Sequence, residues 1–289
     1  LPICVGARGA AMAPIFAELR SGLGALVINS RRDWAPIAML YSPASMRLQW
    51  LLDWKPKGDA WSKRSVEASY EDENAVRSSM TGFSRLFEHM GLEHRVISSA
   101  LLESGELRRG GYRLLVLPRA IALSAREAAE IRRFVERGGL LVADGEPGRF
   151  DQHGRSLSRP RLADVLRGAP AGGSSSASFG RGKAVYLSPA DPAAASTAEA
   201  EHAAPTFVRL RQVIADAHIG QPFTLTDASG NPVTDVEMSV FRNGGVRVVA
   251  LQRDLPARPT DETEAGRAGP ETVSLALSQR SFLYDMRLR

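Results

Sequence analysis

Two carboxylates separated by a single glycine, Asp144 and Glu146, are the residues of this chain whose types and spacing could do chemistry. Paired acids can share acid and base work at a glycosidic bond. The same triplet, Asp144-Gly145-Glu146, also suits a plain turn, because a short aspartate side chain bonds its own backbone and glycine accepts left-handed geometry. Turn chemistry is the commoner use of such residues. In an open α/β sheet, ligands collect beyond the carboxyl ends of the strands. Those ends should present Tyr41 and Ser42, Ser98 and Ser99, Arg119, and Asp144 with Glu146.

Other chemistries find little support. Cys4 is the single cysteine, so neither an internal disulfide nor a cysteine-rich zinc site can form. It reads as a core or terminal thiol. The five histidines, His89, His94, His153, His202 and His218, lack metal-ligand spacing. No Gly-x-Ser-x-Gly elbow occurs, and neither Gly110-Gly111 nor Gly172-Gly173 opens a helix after a strand, so no dinucleotide fingerprint is present. No cofactor, metal or catalytic residue is expected. The four tryptophans, Trp34, Trp50, Trp54 and Trp61, fall in one short segment. Trp50 and Trp54 fit the packed side of a helix, whereas Trp34 and Trp61 suit an interface or a cleft rim.

The net charge of +5 and pI near 9.7 come mainly from scattered arginine among acids, with lysine only at Lys55, Lys57, Lys63 and Lys183. A nucleic-acid binder would cluster its basic residues on one element, so nucleic acid is not an expected partner. No apolar run is long enough to span a bilayer, so a membrane is not expected either. With 289 residues, 44% hydrophobic, the chain can bury one good core and a second, smaller one. It opens on Leu1 rather than Met, and we expect a piece of something longer.

The elements that would carry these residues follow from periodicity. Ile15, Leu19, Leu23 and Leu26 recur at helical spacing within 10–29. The run 36–41 reads as a buried parallel strand. Ser42-Pro43 then starts a helix reaching about Trp54, apolar nearly all round and so expected to be buried on two sides. Val76, Met80, Phe83, Phe87 and Met90 mark a further helix, ended by Gly91. Strands are expected at 95–98, 113–118 and 140–143. Between the last two, Ser124 and Glu127 form a capping box for a helix that buries Ile131, Phe134 and Val135. A short helix is expected at 162–167, an unpacked small-residue loop at 169–178, a strand at 182–188, and a helix through Val208, Val213 and Ile214. From Pro222 the pattern alternates with period two. Asn243-Gly244-Gly245 joins two strands as a hairpin, and further strands are expected at 272–277 and 281–286.

The run Ala38-Met39-Leu40-Tyr41-Ser42-Pro43-Ala44-Ser45-Met46-Arg47-Leu48-Gln49-Trp50 resembles the start of the β-galactosidase trimerisation domain of glycoside hydrolase family 42. So do Leu114-Leu115-Val116-Leu117-Pro118, Leu123-Ser124 and Phe134-Val135-Glu136-Arg137-Gly138-Gly139, and the tail around Arg242-Asn243-Gly244, Arg253-Asp254 and Tyr284-Asp285 is similar to the small β domain of those enzymes. The resemblance spans roughly 34–188 and 236–287. It implies a class I glutamine-amidotransferase-like, flavodoxin-like parallel sheet followed by a small antiparallel β-sandwich. In such folds a catalytic cysteine often stands just past a buried strand, where this chain has Asp144-Gly145-Glu146.

In that family two glutamates on a preceding (β/α)8 barrel do the hydrolysis, and residues 1–32 are too few to supply a barrel. No catalytic residue is therefore carried over. The expected organisation is a helical segment at 1–33 leading from an upstream domain, the trimerisation domain at 34–219 and the β domain at 220–289. The expected role is a non-catalytic accessory module that self-associates, as a homotrimer. The alternative is a carbohydrate-binding or carbohydrate-active protein in its own right. Its cleft would use Tyr41, Ser42, Arg47, Trp61, Arg119, Asp144 and Glu146.

Overall fold

The computed structural model describes residues 7–56, 58, 74–167, 174–187, 205–220, 223–230, 233, 236–253 and 273–277. Cys4, Trp61, the alanine-rich stretch 190–204 and the strand expected at 281–286 lie outside them. The chain forms two units, Ala35–Gln221 on the one hand and Leu1–Trp34 with Pro222–Arg289 on the other.

The larger unit is built on a six-stranded sheet. Its strands are β2 (Ile37–Tyr41), β3 (Arg95–Ser98), β4 (Leu114–Leu117), β5 (Leu140–Ala143), β6 (Ser175–Phe179) and β7 (Gly182–Tyr186), in the order β3-β2-β4-β5-β7-β6. The first five in that order run parallel, with Met39 beside Val96 and Val116, Val116 beside Val142, and Val142 beside Val185. Four successive residues of β2, and all of β4 and β5, are buried, as expected of strands covered on both faces.

Side chains alternate between two cores because the strand period is two. One face sends Ala38, Leu40, Leu115, Leu117, Leu141 and Ala143 against Leu102 of α5 (Ser99–Glu103), Leu107 of α6 (Glu106–Arg109) and Ile131, Phe134 and Val135 of α7 (Ala125–Glu136). The other sends Ile37, Met39, Leu114, Val116, Leu140 and Val142 against Phe83 and Phe87 of α4 (Ala75–His89) and Leu210, Val213 and Ile214 of α8 (Pro205–Asp216). The result is a helix–sheet–helix sandwich.

Local signals start and stop these helices. Ser124 accepts a bond from the N–H of Glu127, while Glu127 accepts one from the N–H of Ser124, completing the capping box. Asn74 caps α4 in the same way through the N–H groups of Val76 and Arg77, and Gly91 follows that helix in left-handed geometry, φ 63°.

Several expectations need correcting. The sheet is mixed rather than wholly parallel, since β6 pairs antiparallel with β7 in the stretch read as an unpacked loop. An edge strand needs one ladder partner and one modest face. Ser175, Ala177 and Phe179 are half-buried and alternate with exposed Ser176 and Ser178, so small residues suffice. Residues 162–167 form turns rather than a helix, yet bury Leu162, Val165 and Leu166. There the backbone is fixed by the bond from Arg161 N–H to Gly148 O, 2.9 Å, and by turn bonds rather than by a helical ladder. Helix α3 (Pro43–Trp54) exposes Arg47, Leu51 and Leu52 instead of burying two sides, although Ser45 is buried and the helix packs on α4. Val208 of α8 is exposed as well.

The smaller unit starts with α1 (Ala7–Ser21) and α2 (Leu23–Ile28), two helices in place of one, separated at Gly22. Ile15 and Leu19 are exposed. Two residues, β1 (Arg31–Arg32), then pair antiparallel with β9 (Val236–Asn243), Arg31 beside Arg242 and Arg32 beside Phe241. The end of the segment 1–33 thus shares a sheet with β9. β9 turns through Gly244, φ 58°, and Gly245 into β10 (Val246–Arg253), the hairpin read from Asn243-Gly244-Gly245. A second sheet pairs β8 (Phe223–Thr226) with β11 (Ser274–Leu277). Leu225, Val233 and Val236, with Val273 and Leu275 against them, form its small core.

Candidate functional site

The carboxyl ends of β2, β4, β5 and β7 bring together most of the residues that could act. The strand order reverses direction between β2 and β4, and the crevice at such a reversal is where open sheets take ligands. In this protein the chain's own polar groups occupy that crevice. Ser42 caps α3, accepting from the N–H of Ser45 at 3.2 Å, and is 2% exposed. The hydroxyls of Ser42 and Ser45 lie 2.9 Å apart, and both donate to Ala122 O, at 3.3 and 3.0 Å. Ser45 Oγ also accepts from Ala122 N–H at 3.0 Å. The loop after β4 is therefore pinned across the mouth by both polar groups of Ala122.

The second half of the rim centres on Asp144. Its Oδ1 accepts from the backbone N–H of Arg119 at 2.6 Å, and its Oδ2 from the Ser79 hydroxyl at 2.7 Å. The residue is 4% exposed. Burial pushes its carboxyl up from the ordinary value, against the opposing pull of these hydrogen bonds and of the Arg119 charge. Arg119 itself has φ 39°, a left-handed conformation unusual for a residue with a side chain, and Gly145 next to it has φ 66°. A Cβ at Gly145 would lie 3.3 Å from Arg119 Cγ, so the two turns interlock.

Tyr186, beside Ala143 in the neighbouring strand, completes the group. Burial raises its phenol, and the negative charges of Asp144 and Glu146 raise it further, while Arg119 opposes them. Tyr186 thus senses both acids. Neither Tyr186 nor Ser79 stood out in the sequence. Tyr186 could have been found from the 182–188 strand by laying it alongside 140–143, which puts the tyrosine level with Ala143, one residue before Asp144. Ser79 carries no such signal, since it sits mid-helix and reaches Asp144 across 65 residues.

The structure separates the two acids by environment. Glu146 is exposed and pairs with Arg149 at 3.1 Å, whereas Asp144 is enclosed by protein donors. Tyr41 is exposed at the rim, and Arg47 is exposed on α3. Ser98 caps α5 through the N–H of Leu101, 3.3 Å. What this arrangement does chemically is hold turns: Ser42, Ser45, Ser98 and Asp144 all spend their oxygens on the chain's own donors and acceptors. Among the described residues no group of three or more His, Cys, Asp or Glu could hold a metal ion, and no helix is long and apolar enough to cross a membrane.

No family model matches the sequence, and no curated protein matches it either. Solved structures do. The β-galactosidase of Rahnella sp. R3 superposes with TM-score 0.56 at 16% identity, over 85% of this chain and 39% of that one. The β-galactosidase of the haloarchaeon Halorubrum lacusprofundi gives 0.55 at 16% identity, over 93% and 43%. Gan42B, a GH42 β-galactosidase from G. stearothermophilus, gives 0.52 at 14% identity, over 74% and 34%. At such identities the likeness is one of fold, and this chain spans well under half the length of each of these proteins. The protein has a GH42-like fold corresponding to part of a β-galactosidase chain.

Proposed function

We propose that this chain is a non-catalytic accessory region of a β-galactosidase-like glycoside hydrolase, with the flavodoxin-like trimerisation domain and the small β-sandwich of that family. Hydrolysis of β-galactosides would then belong to a barrel outside residues 1–289. The observation that carries this reading is the state of the strand-end crevice. A fold shared with part of several β-galactosidases has its crevice closed by Ser42, Ser45 and Ala122, and its one deeply buried rim carboxylate, Asp144, held by Arg119 and Ser79. Both are the arrangement of a structural module.

Self-association is the positive role. Leu51 and Leu52 stand 47% and 40% exposed on α3, near exposed Arg47, an apolar surface of the kind a second copy would cover. Light scattering across a concentration series should show an assembly, a homotrimer by the resemblance. A monomer at high concentration would remove this role. The purified chain should leave nitrophenyl galactosides intact. Turnover that disappears in Glu146→Gln would replace the accessory reading with that of a carbohydrate-active protein.

A further inference from the structure

An open hollow of about 480 Å³ lies between α7 and the segment 157–164, away from the strand-end rim. Three arginines line it, Arg132, Arg159 and Arg161, and Asp164 is the single acidic residue on its wall. Arg132 takes up that carboxylate completely, with bonds of 2.9 and 3.1 Å to its two oxygens. Partial burial would raise Asp164, but the Arg132 bond and the nearby Arg159 charge hold it below the ordinary value. The pair is therefore an ionised, mutually neutral strut.

Two positive charges remain. Arg161 is anchored at both ends of its stem: its Nε donates to Leu123 O at 2.9 Å, and its backbone N–H donates to Gly148 O at 2.9 Å. Gly148 permits this approach, since its φ is 71° and a Cβ there would lie 2.8 Å from Arg161 Cβ. Arg132 also donates to Arg161 O. Arg159 is exposed and has neither a hydrogen bond nor an ion pair among the described residues, and Pro160 after it disfavours helical backbone at that position. Two arginines on the wall of one hollow, one of them on a fixed stem, favour an anion that answers both. Guanidinium forks match tetrahedral oxyanions in a way that a point charge does not.

We propose that this hollow binds a phosphate- or sulfate-type oxyanion through Arg159 and Arg161, with the Ser158 hydroxyl on its wall as a further donor. The anion is either free or an ester group on a small polar molecule. The site owes nothing to the accessory-region reading and stands if that reading fails.

Titration calorimetry on the full chain tests it, with inorganic phosphate, inorganic sulfate and glucose 6-phosphate, each against sodium chloride at matched ionic strength. Saturable binding is expected, weakening as salt rises. Tighter binding of the sugar phosphate than of the inorganic ions identifies an ester group as the natural ligand, and equal binding identifies the free anion. Arg159→Gln, which removes no hydrogen bond or ion pair among the described residues, should weaken binding at least tenfold with an unchanged circular dichroism spectrum. Asp164→Asn, which removes the opposing charge, should tighten it severalfold. An absence of saturable binding beyond the chloride control, or undiminished binding by Arg159→Gln, overturns the proposal.

Discussion

The backbone N–H of Arg119 lies 2.6 Å from Oδ1 of Asp144, 25 residues further along the chain, and this bond fastens the turn after β4 to the end of β5. Oδ2 of the same carboxylate reaches Ser79 on α4. One buried acid therefore joins two strand ends and a helix that covers the sheet.

Replacing that acid should separate its bonding from its charge. Asp144→Asn can keep both bonds, with the Ser79 hydroxyl turned to accept, whereas Asp144→Ala strands the Arg119 N–H and should cost roughly 1–3 kcal/mol in urea denaturation. The sign of the pH effect follows from the raised carboxyl. The folded state holds this proton more firmly than the unfolded state does, so the contribution to stability is full below the ordinary carboxyl value and is lost as pH rises through the folded-state value. Compared with Asp144→Asn, the wild type should do best in acid and lose ground toward neutral pH. A stability difference that does not change with pH would contradict the raised value.

The capping box predicts a second loss. Ser124→Ala removes the acceptor for Glu127 N–H, 3.0 Å, and the hydroxyl that donates to Glu103 at 2.5 Å. Stability should fall by about 0.5–2 kcal/mol. The urea midpoint should move while the slope of the transition stays the same.

Glycine at the start of β7 has no room for a side chain. A Cβ at Gly182 would lie 2.2 Å from Val135 O and 2.3 Å from Gly139 O, both backbone atoms that cannot swing aside. Gly182→Ala should destabilise by about 3 kcal/mol, the upper part of the overpacking range. Gly245→Ala, where nothing lies within 4 Å, should stay within about 0.5 kcal/mol. Melting curves of the two variants provide the comparison.

Charge on the exposed end of α3 should dissociate the proposed assembly. The double variant Leu51→Asp with Leu52→Asp changes two exposed side chains, so folding should survive while light scattering falls to the monomer mass. An unaltered assembly would move the interface elsewhere on the molecule.

How much could be read in advance depended on the distance between partners. Ser124 and Glu127 stand three residues apart and satisfy each other locally, so the capping box was legible. The same holds for Ser42-Pro43 at the head of α3, for the apolar runs of β2, β4 and β5, and for the Gly244-Gly245 turn. The Asp144-Gly145-Glu146 turn was legible as a candidate, and its two acids were given different uses by their surroundings. Edge strand β6 was missed because Ser175 to Phe179 has little hydrophobic signal, and its pairing with β7 supplies what composition does not.

By itself, then, the sequence determined helices α3, α4 and α7 and the central strands, because periodicity, caps and turn residues act within a few positions of one another. Only the tertiary structure decided that Ser45 would close the crevice on Ala122, 77 residues away, that Ser79 would find Asp144, and that Arg31–Arg32 would join β9 near the other end of the chain. Hydrogen bonds of that kind depend on which ends of which strands the sheet order brings side by side. No local pattern encodes that order.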